Sequence, residues 1–365
     1  MNIFTSGSQA VIGHGIREIY PTESGTDAGW ASAVVAAAGF SGVRAHCALS
    51  FTPGGRAVAV LPELSEVVGY DAIELAHPGP LAPTEVTPEP APSGYAAMVE
   101  AALRRIADGD VAKVVLGRQL QVRAPGLRPE HLLGPLLADR PGEYVFSQTL
   151  TEGAVAVGAS PELLVRRSGH AVSAVPLAGS VPRVEDPAED RQRAERLLSS
   201  AKDLAEHAHV VEAITAALLP LCRELDWPRT PILHRTDTLW HLATPINGVL
   251  HEDRPLPSAL ELAQLLHPTP AVGGVPAPEA AALIAELEPV DRGYLAGCLG
   301  WTDGNGDGEF AVTIRAGIVG HDELRLFAGA GIVAGSVPEL EVRETGAKLG
   351  TMLRALERNP AGALR

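Results

Sequence analysis

The chain has 365 residues, 46% of them hydrophobic and 20% charged, enough apolar sequence for one large domain or two smaller ones. Its net charge of −15, with no cluster of lysine or arginine to offset it, argues against nucleic acid or an anionic membrane as the main partner. Three scattered cysteines, Cys47, Cys222 and Cys298, supply neither a disulfide framework nor a CxxC metal pattern, and they fit a reducing cytoplasm.

The N-terminal MNIFTSGSQAVIGHG has no basic region before an apolar run, so it does not read as a secretory signal. The apolar stretch ASAVVAAAGFSGVRAHCALSF is broken by Gly39, Gly42 and Arg44 and is too interrupted to span a membrane. Residues 77–94 hold six prolines and read as a linker or extended surface connection. YAAMVEAALRRIADGD then has helical periodicity, and VAKVVLGRQLQV alternates as a strand. YVFSQTL, the turn TEG and AVAVGASPELLVRRSG form a hairpin-like region. From Asp186 to Cys222 a single long helical segment is expected, with Leu197, Ala201, Leu204, Ala208, Val211, Ile214 and Leu218 as its core stripe. The last third returns to strands, YLAGCLGW, EFAVTIRAGIV and LRLFAGAGIVAG, before a helix that begins near VPELEVRETGAK. Paired strands with grouped helices predict an α+β fold with antiparallel sheets rather than a βαβ alternation.

Three motifs fail. Asp303, Asn305, Asp307 and Gly308 have EF-hand spacing, but the twelfth position is Ile314 instead of a bidentate glutamate, so TDGNGDG reads as a hairpin turn. FAGAGIVAG lacks GxGxxG phasing, and Gly329 and Gly331 there suit close backbone approach in a strand. Glu206 and His209 have the Glu-x-x-His spacing of di-iron bundles, but the second copy, Glu74 and His77, runs into Pro78.

The carboxylates are more informative in pairs. Asp203 and Glu206 stand at i, i+3 on one expected helix, and Glu341 and Glu344 at i, i+3 on another. Meeting across a cleft, they would share a cation, and hard oxygen donors without Cys or His suit Mg²⁺. Glu344 and Lys348, at i and i+4 with the acid first, also have the spacing of an ordinary surface pair, as do Lys202 and Glu206 in the weaker order. Lys113 and Arg315 are cations set in apolar strands. Each alone reads as edge protection, but together with the acid pairs and Glu162 they describe a pocket for a small polyanion.

Glu341 apart, these residues lie in nine stretches whose order and spacing resemble the chorismate-utilising enzymes, and most closely the isochorismate synthases: KVVLGR, GASPELL, PLAGSVPR, KDLAEH, LWHLATPI, LHPTPAVGG, EFAVTIRAG, AGAGIVAGS and ETGAK. The resemblance implies a single large α+β domain with a chorismate-binding core over residues 93–357. Residues 1–92 would be a variable part of the same fold. It implies a cytoplasmic, Mg²⁺-dependent isomerase that converts chorismate to isochorismate for a siderophore, salicylate or other secondary metabolite. Many relatives of this size act as monomers. It gives Lys113 the role of general base and Glu162 that of general acid. Glu206 and Glu344 would ligate Mg²⁺, with Asp203 and Glu341 behind them. Gly179, Ser180, His241, Ala271, Arg315, Gly329 and Lys348 would line or hold the substrate. Relatives that use ammonia usually carry Gln at the place of Lys113, and the Lys of a PIKGT motif is replaced here by Ala178. Salicylate synthases usually carry Thr where this chain has Ala271, so salicylate synthesis is the second expectation, and an inactive chorismate-binding protein the remote third.

Overall fold

The computed structural model describes residues 1–75, 78–140, 142–236 and 239–357. Two large sheets dominate them. In the first, Lys113–Arg123 pairs with Glu323–Val333 over its whole length, from Lys113 opposite Val333 to Arg123 opposite Glu323. The order continues through Ala316–Val319, Val155–Ser160, Tyr144–Thr149, Asn2–Ser6, Gln9–His14 and Leu64–Gly69. In the second sheet Ala171–Val175, Leu163–Ser168, Gly308–Val312, Cys298–Thr302 and Ala45–Leu49 are consecutive neighbours. The pairings that frame the centre of both sheets are antiparallel. The N-terminal strands therefore belong to the same two sheets as the rest of the chain.

Alternation explains the packing. Phe4, Leu116, Phe146 and Ile332 of the first sheet share one buried cluster with Val58, Leu164, Leu299 and Phe310 of the second. The outer face of the first sheet buries Val122, Val157 and Leu326 under helices Glu130–Asp139 and Pro338–Glu357. Among the described residues no helix is long and apolar enough to cross a membrane.

Three local expectations are corrected. The segment from Asp186 to Cys222 is two helices, Pro187–Ser199 and Ala201–Leu218, followed by a strand that starts at Cys222. Ser200 ends the first and caps the second, its Oγ accepting from the Asp203 N–H at 3.3 Å. The break resets the helical phase, so Ala201 and Ala208 are exposed, and His207, Val210, Ile214 and Leu218 form the buried stripe. EFAVTIRAGIV is not one strand. Its first half belongs to the second sheet and Ala316–Val319 to the first, and Arg315 lies in the connection with φ +53°. Within the proline-rich segment, Glu85–Glu89 adds a strand to Lys113–Arg123, with Pro88 accommodated because the strand is peripheral. His77 of the Glu74 pair lies outside the described residues.

Candidate active site

Two chain crossings between the sheets place the central chemistry. Val155–Ser160 leaves the first sheet and re-enters the second as Leu163–Ser168, with Pro161 and Glu162 at the crossing. Beside it the chain crosses back through Thr313, Ile314 and Arg315. The two crossings are tied where Val312 N–H donates to the Glu162 carbonyl at 3.1 Å and Ala159 N–H donates to the Arg315 carbonyl at 3.1 Å. A Cβ on Gly158 would lie 2.8 Å from that carbonyl and 2.6 Å from the Phe146 ring, so only glycine lets the crossings approach this closely. The left-handed backbone at Arg315 is the kind of conformation that neighbouring structure must hold in place.

Helices complete the walls. Ala201–Leu218 packs on the small sheet formed by Leu177–Pro182, Leu239–Ala243 and Ile232–Arg235 and brings in Asp203 and Glu206. Pro338–Glu357 packs on Glu323–Val333 and brings in Glu341, Glu344 and Lys348. The result is a cavity of about 190 Å³, and every candidate residue except Lys113 lines it: Glu162, Gly179, Ser180, Asp203, Glu206, His241, Ala271, Arg315, Gly329, Glu341, Glu344 and Lys348. Lys113 lies just behind the wall, fully buried, its Nζ 3.0 Å from Glu206 Oε1 but out of line for a hydrogen bond.

The electrostatics divide the cavity. Glu162 is 3% exposed, and burial pushes its carboxyl up to about 8 against the opposing influence of the Leu177 N–H and Lys113. It holds its proton at neutral pH. Arg315 Nη2 donates to His241 Nε2 at 3.2 Å, and burial together with Arg315 and Lys348 keeps that imidazole neutral. Glu341 is raised by burial and by the nearby Glu344 charge. Burial also pushes Glu344 up, but Lys348, Lys202 and Arg315 outweigh it and hold the carboxylate ionised. Lys348 Nζ lies 2.7 Å from Glu344 Oε1 and donates to the Gly329 carbonyl at 2.9 Å. The helical pair read from spacing thus forms, and it lines the mouth of the cavity, with Glu344 still 41% exposed.

The chain matches the family model described as "Chorismate binding enzyme" over residues 68–357. It belongs to the chorismate-binding enzymes. The isochorismate synthase DhbC of Bacillus subtilis is 49% identical over 278 residues, 74% of this chain and 69% of that protein. The isochorismate synthase EntC of Escherichia coli K12 is 45% identical over 265 residues, 72% of this chain and 67% of that one. A crystal structure of a putative 2,3-dihydroxybenzoate-specific isochorismate synthase from Bacillus anthracis superposes with a TM-score of 0.89 at 40% identity, covering 97% of this chain and 95% of its own.

In this chorismate-binding enzyme, among the described residues, no three His, Cys, Asp or Glu side chains converge as a ready-made metal site. Glu206 and Glu344 are each turned onto a lysine. The donor set nevertheless fits Mg²⁺. Four carboxylates face one cavity, repulsion between Glu341 and Glu344 is left partly uncompensated, and Mg²⁺ characteristically uses one or two protein carboxylates with substrate and water.

Sequence reading missed several contributors. Lys202, read as a surface partner of Glu206, lines the cavity and acts on Glu341 and Glu344. Arg292 was not singled out at all. Buried with Glu288, it donates through Nε to Glu288 Oε2, through Nη1 to the Val272 carbonyl and through Nη2 to the Val115 carbonyl, each at 2.8 Å. It also stacks on Phe51 and Phe327 at 4.0 and 5.0 Å from the ring centres. Val115, Val272 and Phe327 all line the cavity, so this ion pair buttresses its apolar wall. Arg292→Met strands the Glu288 carboxylate and costs about 3–5 kcal/mol in urea denaturation, and adding Glu288→Leu recovers much of the loss. Undiminished stability of the single variant would show that the pair is not held as described.

Proposed function

We propose that the protein is an isochorismate synthase, which reversibly isomerises chorismate by adding water at C2 as the C4 hydroxyl leaves and the ring double bonds shift. The observation that carries this reading is a buried carboxylic acid, Glu162, kept protonated on a cavity that also gathers cations and carboxylates, with a buried lysine against the Glu206 wall. The isochorismate synthases among its relatives support it.

The reaction needs a proton taken from a poor nucleophile and another given to a poor leaving group. Lys113, paired as an ammonium with Glu206 at rest, accepts the proton of the attacking water in its neutral amine form, and Glu162 delivers one to the departing C4 oxygen, so a water is consumed and a water released. Each such transfer typically contributes ~10²–10⁴ in rate. Arg315 and Lys348 hold substrate carboxylate. Arg315 is aimed by its contact with His241, and Lys348 by the Gly329 carbonyl. Gly179, Ser180 and Ala271 shape the remaining wall. Glu206 and Glu344 would hold Mg²⁺, with Asp203 and Glu341 supporting them. When bound, the metal supplies a Lewis acid and template for the ring carboxylate. Use of the product for a siderophore or related secondary metabolite belongs to the same proposal.

The test is purified protein with chorismate and Mg²⁺, with products separated by chromatography. Isochorismate should form, reach the same ratio to chorismate from either direction, and cease to form when a chelator is added. Salicylate with pyruvate and no added lyase would move the reading to salicylate synthase. Absence of turnover would defeat both.

A further inference from the structure

We propose that Gly331 is a positioning residue: the space left by its missing side chain is a slot in which the Glu206 carboxylate rests against Lys113, and from which Glu206 must swing to face a cation in the cavity. The inference rests on the reading of Glu206 as a metal ligand. A Cβ built on Gly331 would lie 2.6 Å from Glu206 Oε1, 3.2 Å from its Cδ and 3.3 Å from Lys113 Cε. No methyl group coexists with the carboxylate where it now lies. The slot is flanked by a strong attractor, because Lys113 Nζ is buried, lacks a hydrogen-bond partner among the described residues and sits 3.0 Å from Oε1.

On its other side Glu206 borders the cavity that it shares with Asp203, Glu341 and Glu344. A carboxylate held against Lys113 and one turned toward the facing glutamates are mutually exclusive positions. The lysine therefore competes with any cation for Glu206, and it is uncovered to the cavity only when Glu206 leaves. Gly331 keeps the resting position available. A methyl group there would expel the side chain toward the cavity, the direction in which a flexible glutamate has room.

The test is calorimetric titration of Mg²⁺ alone into the full-length, substrate-free protein. Gly331→Ala closes the slot, and Lys113→Met removes the competing charge. Both should bind Mg²⁺ about three- to tenfold more tightly than the unsubstituted protein. Equal or weaker binding by a folded Gly331→Ala overturns the proposal. Should that variant fail to fold, equal or weaker binding by Lys113→Met does so. An unsubstituted protein that takes up no Mg²⁺ at all instead defeats the metal reading on which the inference stands.

Discussion

Glu162→Gln should lower chorismate turnover by about 10²–10⁴-fold while making the protein more stable at alkaline pH. Both effects follow from one cause. Burial at the crossing between the sheets lifts the carboxyl from its ordinary 4.5 to about 8. In the unfolded chain Glu162 ionises near its ordinary value, so between these limits the native state carries the extra proton. Stability linked to this group is therefore fully present below about pH 4.5 and is lost as pH rises through about 8. Glutamine has the same shape and never ionises. In denaturant titrations the variant should match the original enzyme near pH 4 and exceed it by on the order of 5 kcal/mol at pH 9. The activity of the original enzyme should fall on the alkaline side as Glu162 loses its proton, and the residual rate of the variant should lack that limb. A variant that loses stability at pH 9 together with activity would mark Glu162 as a structural group and remove it from the acid role.

What was legible in the sequence was whatever depends on short-range pattern. The Lys113–Arg123 and Glu323–Val333 strands show their alternation, and the i, i+3 acid pairs do lie on helices that face one cavity. The family motifs brought in the remaining lining residues, Gly179, Ser180, His241, Ala271 and Gly329 among them. The illegible features depend on long-range packing. Nothing local marks Arg315 as a left-handed residue between two sheets. That conformation is imposed by the crossing at Pro161 and Glu162, more than a hundred residues away in sequence. The break at Ser200 had a signal, a serine two residues after Leu198, but the apolar periodicity across it was strong enough to hide the cap. Glu288 and Arg292 have the spacing of an exposed helical pair, and only the fold shows that their side chains are 4% and 1% exposed. The same ambiguity affected Glu344 and Lys348: spacing establishes that they touch, while the surrounding fold decides that they meet at a cavity wall, partly exposed, instead of on a free helix face.

Lys113→Met should abolish turnover to a similar degree, by about 10²–10⁴-fold, yet leave the melting temperature unchanged or raised. The expectation turns on what holds the lysine in place. Its ammonium is desolvated and lies near Glu206 without a well-aligned hydrogen bond. Burying a charge on these terms contributes little to folding, and an apolar side chain of similar volume fits the same site without the desolvation penalty. Glu206, 14% exposed at the cavity wall, can turn to solvent or to a cation when its partner is gone, so no fully buried carboxylate is stranded. A residue kept for packing would show the reverse pattern, with stability lost and the active fraction turning over normally. Thermal unfolding and single-substrate kinetics on the same preparation therefore separate the two roles. Retained kcat in the folded variant would transfer the task of activating water from Lys113 to another group at the cavity.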